Sequence, residues 1–83
     1  MSFTDDVVDQ VWEKGKAVSG YNPNVYRQDS YGSWMRFTEY GKETEAGWEI
    51  DHIIPSIHGG GDELRNLQPL QWENNRRKGD NIR

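Results

Sequence analysis

The second half of the chain holds a carboxylate, an imidazole and two carboxamides that could act together, at Asp51, His52, Asn66 and Asn75. A neutral imidazole is the side chain best suited to take a proton from water near neutral pH. Carboxylate and amide oxygens are the ligands that a hard divalent cation such as Mg²⁺ prefers. Phosphodiester hydrolysis needs such a base and such a cation, together with a group that holds the base in position.

A strand must carry the first two of these groups. Large apolar and polar residues alternate over residues 48–54, which predicts a strand that Pro55 ends. Neighbours on a strand point to opposite faces, so Asp51 and His52 do not simply face one ligand. A distortion at the strand end, before Pro55, could bring both side chains to the same cleft.

A helix must carry the amide. Pro69 is predicted to open a helix that runs from about residue 70 to residue 78, and Gly79 to stop it. On that helix Trp72, Asn75 and Arg76 share one face. Between strand and helix lie a loop with three glycines and a short predicted strand over residues 66–68. The residues alone therefore indicate that one carboxylate, one imidazole and one amide could converge.

The stretch from residue 48 to residue 80 resembles the HNH nuclease motif, and it reads WEIDHIIPSIHGGGDELRNLQPLQWENNRRKGD. The family typically has Asp-His-Ile-x-Pro, a loop ending in Gly-Gly, Asn-Leu-x-x-Leu, and Asn-x-x-Lys on a helix. This chain has the four parts in the same order, at residues 51–55, 59–61, 66–70 and 75–78.

The resemblance implies an α+β fold with a small ββα-metal finger: strand, glycine-rich loop, short strand, helix. It also implies roles within the site. His52 would be the general base, Asp51 and Asn75 would be the ligands of one divalent metal ion, and Asn66 would hold the loop and backbone beside His52. Mg²⁺ is the expected ion, with Mn²⁺ or another divalent ion as the alternative.

The same resemblance makes Arg76 and Lys78 the expected contacts to nucleic-acid phosphates. Arg77 is a further candidate for such a contact, and His58 is a further candidate for a metal ligand or a phosphate contact. Each has an ordinary structural interpretation as well. Basic residues at a helix end commonly lie in solvent and match the helix dipole. A histidine in a glycine-rich loop is commonly an exposed loop residue.

The chain has no cysteine, which excludes disulfides and thiolate zinc sites. Many HNH proteins carry two cysteine pairs that bind a structural zinc, and the second pair would fall at Gln71 and Asn74. We therefore expect no structural zinc, with the N-terminal 47 residues stabilising the motif instead. They are predicted to form a helix over residues 4–14 capped by Thr4, a loop over 16–33 with at most a short extended piece near 25–26, and an aromatic strand over 34–40. The expected core is built on the four tryptophans, Trp12, Trp34, Trp48 and Trp72.

With 83 residues, the chain is expected to form one domain, with residues 48–80 as the motif and residues 1–47 as its support. The net charge is −4, but residues 62–83 carry five Lys and Arg against four Asp and Glu. Phosphate contacts should therefore be concentrated there, and the acidic remainder weakens unaided DNA binding. No segment is predicted to span a membrane, and a cytoplasmic, bacterial or phage-encoded setting is favoured.

Two functions fit these observations. The first is a metal-dependent endonuclease acting on nucleic acid, most naturally DNA, as a monomer, as a homodimer or beside a DNA-binding partner protein. The alternative is a catalytically silent HNH-fold module that binds or regulates a protein partner. It is motivated by the acidic charge and by the absence of a separate DNA-reading element.

Overall fold

The computed structural model describes residues 3–82, which form two helices and two separate two-stranded antiparallel sheets. In chain order the elements are α1 (Asp5–Trp12), β1 (Tyr26–Gln28), β2 (Trp34–Arg36), β3 (Trp48–His52), β4 (Leu67–Gln71) and α2 (Trp72–Lys78). Short 3₁₀ turns lie at Phe37–Glu39, Ser56–His58 and Leu64–Asn66. The predicted α+β class with a strand, a glycine-rich loop, a strand and a helix at the C-terminal end is confirmed. Within residues 3–82, no helix combines the length and the hydropathy that a membrane crossing requires.

The N-terminal helix forms where the sequence predicts it, but it is shorter. Thr4 caps it through its side-chain oxygen, which accepts from the Val7 amide at 3.3 Å. The helix ends at Trp12, and Glu13 is its C-cap, so the last residues of the predicted range lie outside it. Beyond the helix, the Lys14 ammonium donates to the main-chain carbonyls of Leu64 and Leu67. These bonds attach the N-terminal segment to the start of β4.

The aromatic strand was predicted too long. β2 stops at Arg36, and the 3₁₀ turn Phe37–Glu39 follows. The turn brings the main-chain oxygen of Phe37 to the indole nitrogen of Trp48, at 3.2 Å. The chain thereby wraps aromatic rings around Trp48 instead of extending the sheet. The partner of β2 is β1, which begins at Tyr26, within the short extended piece predicted near residues 25–26, and continues to Gln28.

The start of the C-terminal helix was also predicted incorrectly. Pro69 does not open α2 but lies within β4, opposite Ile50 of β3. Proline is tolerated there because β4 has no second neighbour in this sheet, so no partner strand needs the missing N–H group. The helix begins at Trp72, after Gln71, whose side-chain oxygen accepts from the amides of residues 73 and 74 at 3.0 and 3.2 Å.

The core lies on the face of β3 and β4 that α1 covers. Its buried members are Val8, Val11, Trp12, Met35, Trp48 and Leu67. The rings of Trp12 and Trp48 are 5.1 Å apart between centroids. The expectation of a core with four tryptophans is wrong for Trp34, which is 37% exposed, and Trp72 is only half-buried. In β2 the inward position belongs to Met35, so Trp34 is turned outward against Tyr21.

A buried carboxylate joins the N-terminal half to the junction of β4 and α2. Asp29 is 4% exposed, and one of its oxygens accepts from the amides of Tyr31 and Ser33 at 3.0 and 2.9 Å. Its other oxygen accepts from the Gln71 amide at 2.9 Å and from the Asn74 side-chain nitrogen at 2.8 Å. Residues 71 and 74 are the positions at which the resemblance described above would put the second cysteine pair. Hydrogen bonds to one carboxylate therefore hold this corner together.

Replacing Asp29 by alanine should lower the free energy of unfolding by about 3 kcal/mol, because it leaves buried donors without an acceptor. Urea unfolding followed by tryptophan fluorescence measures the change. Asp9→Ala, at an exposed position of α1, is the matched control and should change stability by less than about 0.5 kcal/mol. Equal unfolding midpoints for the two variants would refute this role of Asp29.

Candidate functional site

A small polar pocket lies where the end of β3 meets the end of α2, with a volume of about 190 Å³. It is lined by Ile50, Asp51, His52, Pro55, Ser56, Asn75, Gly79 and Asp80. The strand-borne imidazole and the helix-borne amide singled out from the sequence therefore border one cavity, together with the aspartate that precedes the imidazole. Asn66 lies outside this lining.

Neighbouring side chains of β3 point to opposite faces of the sheet, as a strand requires. On one face Trp48 packs on Trp12 of α1, and the His52 ring lies 6.2 Å from the Phe3 ring. On the other face Glu49 and Asp51 meet side chains of α2. Asp51 and His52 nevertheless both border the pocket, because β3 ends at His52 and the cavity lies at that end.

The His52 ring is held by a carboxylate that the sequence did not single out. Its Nε2 lies 2.6 Å from an oxygen of Asp62, the residue that follows the three glycines of the loop. If Nε2 carries the proton and donates it to Asp62, Nδ1 keeps the lone pair that a base needs. The side chain of His52 is 27% exposed, so the ring remains accessible to water.

Asp51 is buried and already partnered. It is 6% exposed, accepts from the Gln68 side-chain nitrogen at 2.9 Å, and forms an ion pair at 3.2 Å with the ammonium of Lys78. Gln68 stands opposite Asp51 in the β3–β4 register, which explains their contact. A buried carboxylate needs such partners because its desolvation is otherwise costly.

Lys78 does not lie where the sequence prediction placed it. Its side chain is fully buried, and besides Asp51 it donates to the main-chain oxygen of His52 at 2.9 Å. The helix turns position 78 toward the sheet, so the ammonium serves a buried carboxylate and is not presented to a phosphate in solvent. The predicted contact of Lys78 with a nucleic-acid phosphate therefore has no exposed ammonium to make it.

The two adjacent asparagines of α2 have different surroundings. Asn74 is buried in the cluster around Asp29, where its oxygen accepts from Arg77 at 2.7 Å. Asn75 is half-buried, and its nitrogen donates to Glu49 at 2.7 Å. With the nitrogen so engaged, the amide oxygen of Asn75 is its remaining ligand atom. Asn75, not Asn74, is therefore the asparagine that borders the pocket.

The other predicted phosphate contacts lie at the surface. Arg76 donates to Glu43 and Glu49, both at 3.0 Å, and lies over the Trp72 ring. The pKa of Arg76 is raised, mainly by its hydrogen bond to Glu49 and next by its hydrogen bond to Glu43. Arg77 and His58 are exposed, and neither borders the pocket.

Asn66 holds the loop that follows β3. Its side chain accepts from the Ile54 amide at 2.8 Å and donates to the carbonyls of Ile54 and Gly61 at 3.0 and 2.8 Å. The Ile53 amide also donates to the main-chain oxygen of Asn66, at 2.8 Å. Only glycine fits at residue 60, since an added Cβ would lie 1.6 Å from the Ile54 oxygen. These contacts fix the backbone directly after His52.

The donor atoms around the pocket suit a hard cation. Asp51, Asp80 and Asn75 are among the residues that line the pocket, so carboxylate and amide oxygens are the ligand types available there. Across residues 3–82 there is no group of three or more His, Cys, Asp and Glu side chains that could hold a metal ion. An ion at this pocket would therefore rely on the amide and on water for its remaining ligands.

Asn66→Ala should loosen the loop after His52, because it removes three side-chain hydrogen bonds at once. Amide hydrogen exchange at Ile54 should accelerate at least about tenfold, as expected when bonds worth about 1 kcal/mol each are lost. Exchange at Val11 in the core should change far less. Unchanged protection at Ile54 would contradict the role assigned to Asn66.

A family model described as HNH endonuclease matches residues 39–81, which is 43 of the 83 residues. The matched segment contains β3, the glycine-rich loop, β4 and α2, and with them every residue that the sequence analysis singled out for the site. No curated protein and no solved structure gives a significant match.

Proposed function

Since the chain belongs to the HNH endonuclease family, we propose that it is an endonuclease that depends on a divalent cation and hydrolyses phosphodiester bonds of DNA. The observation that carries the proposal is the pocket at the ends of β3 and α2, which His52, Asp51 and Asn75 border together. This is the juxtaposition of base and oxygen ligands that the reaction requires.

In this proposal His52 is the general base. Its Nδ1 accepts a proton from the attacking water, while Asp62 keeps Nε2 protonated and stabilises the charged ring that forms. The 2.6 Å contact between His52 and Asp62 supports this division of roles. Asn66 acts indirectly, since it fixes the backbone at Ile54 and so limits the movement of the ring.

The carboxylate of Asp51 and the amide oxygen of Asn75 would hold the cation, for which Mg²⁺ is our first choice and Mn²⁺ the natural substitute. When bound, it would neutralise negative charge that develops on the phosphate. Glu49 orients the amide by accepting from its nitrogen, so it is a positioning residue that the sequence did not reveal.

Phosphate binding falls to Arg76 and Arg77 on the exposed side of α2, whereas His58 lies outside the pocket and has no role in this proposal. Arg76 would have to exchange at least one of its two glutamate partners for a phosphate oxygen. With a net charge of −4, we expect DNA affinity to be modest and to fall steeply with added salt. One such site cuts one strand, so a monomer would nick and a duplex break would need two copies.

His52→Ala should reduce nicking of supercoiled plasmid in Mg²⁺ or Mn²⁺ at least about 100-fold, because loss of a general base typically has an effect of that size. The measurement is the initial rate of conversion to the open circle. The matched control is His58→Ala, which removes the other imidazole of the chain and should retain most of the rate.

Nicking that survives His52→Ala would remove the assignment of the base. Absence of nicking by the intact protein with either ion would instead favour the second candidate, an HNH-fold module that binds a protein partner. The burial of Asp51 against Lys78 gives that candidate its specific support, because it occupies the carboxylate that catalysis would use.

Asp51→Ala should abolish binding of the divalent ion, because it removes a carboxylate ligand from a pocket that offers few other ligands. Calorimetric titration with Mn²⁺ measures the affinity. Asp62→Ala is the matched control, since Asp62 holds the imidazole but is no ligand in this proposal. Equal affinity for Mn²⁺ in the wild type and in Asp51→Ala would reject Asp51 as a ligand.

A further inference from the structure

Lys78 is a fully buried cation that the proposed chemistry does not use. Its ammonium lies 3.2 Å from both oxygens of Asp51 and 2.9 Å from the main-chain oxygen of His52. Gln68 donates to the second oxygen of Asp51 as well, at 2.9 Å. Both oxygens of the proposed metal ligand are thus occupied by donors of the protein itself.

The ammonium also changes the charge of the pocket. A buried Asp51 alone would present a full negative charge to an entering ion, but the pair with Lys78 is neutral. The two other carboxylates near the pocket do not restore the negative charge that the ion pair neutralises. Glu49 is engaged by Arg76 and Asn75, and Asp80 is an exposed carboxylate at the pocket edge.

We propose that Lys78 is the resident counter-cation of Asp51 and competes with the divalent ion for that carboxylate. The inference rests on the proposed function, because it takes Asp51 to be a ligand of the ion. Lys78 thereby sets the ion concentration at which the pocket fills, and it is a positioning residue for Asp51 while the pocket holds no ion.

Because the ion pair between Asp51 and Lys78 is buried, it favours folding and at the same time opposes ion binding. Removing one partner of a buried ion pair is strongly destabilising, because the other charge remains without compensation. Lys78 therefore allows the protein to fold without a bound ion. The same pair weakens ion binding, because an entering ion must separate Asp51 from a buried ammonium that keeps only the His52 carbonyl as acceptor.

The test compares Mn²⁺ affinity in the wild type, Lys78→Met and Lys42→Met. The methionine keeps the length of the side chain and removes its charge. Lys42 is exposed and lies outside the pocket lining, so Lys42→Met controls for the overall loss of one positive charge. We expect Lys78→Met to bind Mn²⁺ about tenfold more tightly than the wild type, since ligand charge strongly tunes affinity, and Lys42→Met to match the wild type within about twofold.

A second measurement uses the unaltered protein and so does not depend on the folding of Lys78→Met. Two-dimensional NMR of the lysine ammonium groups follows Lys78 while the Asp51 carboxyl carbon is followed in the same Mg²⁺ titration. We expect both resonances to shift with the same midpoint, because the ion separates one group from the other.

The two measurements distinguish a failure of the competition from a failure of the proposed metal site. Tighter binding by Lys78→Met, or a joint shift of the two resonances, supports the competition. Equal or weaker Mn²⁺ binding by a folded Lys78→Met variant, or a shift of the Asp51 resonance while that of Lys78 stays unchanged, overturns the competition and leaves the proposed metal site intact. Failure of every folded variant to bind Mn²⁺ or Mg²⁺ overturns the proposed metal site itself, and the competition with it.

Discussion

The ion pair between Asp51 and Lys78 joins the end of β3 to the end of α2, and the pocket lies at this junction. One member is on the strand that carries His52, and the other is on the helix that carries Asn75. Because the ammonium also binds the His52 carbonyl, a single buried cation fixes two consecutive residues of the strand relative to the helix. The imidazole of His52 and the amide of Asn75 can border one cavity only if these two elements keep that spacing.

The remainder of the fold supports the junction from two sides. The α1 face of β3 is packed against Trp12, which leaves the opposite face of the strand to α2. At the other end of α2, Asp29 binds Gln71 and Asn74 through buried hydrogen bonds. The chain has no cysteine, and polar contacts at this cluster, together with the aromatic core, keep the helix in place.

Local patterns in the sequence identified the elements that carry the site. The strand with Asp51 and His52, the glycine-rich loop and the helix with Asn75 all have clear periodic or turn signals. The residues at which the helices and strands begin and end are less predictable from the sequence. Pro69 is typical of a helix start, but an edge strand accepts proline equally well, and nothing local to β4 distinguishes the two. The aromatic pattern over residues 34–40 predicts one strand, but Phe37–Glu39 form a turn against Trp48.

What the sequence could not reveal depends on contacts between distant residues. Two partners of Asp29, Gln71 and Asn74, lie 42 and 45 residues away, and the carboxylate that contacts His52 lies across the glycine-rich loop. No spacing rule predicts such pairs. Lys78 was misplaced for a related reason, since a basic residue at a helix end is usually solvated and only the packing of α2 on β3 shows that it is buried.

Paramagnetic relaxation by Mn²⁺ reports whether a cation binds between Asp51 and Asn75, beside His52. At substoichiometric Mn²⁺, the side-chain resonances of His52 and Asn75 should broaden first and together, while those of Asn74 and His58 persist. Broadening that begins at the acidic start of α1, near Asp5 and Asp6, and spares both His52 and Asn75 would place the ion elsewhere and rule out the proposed site.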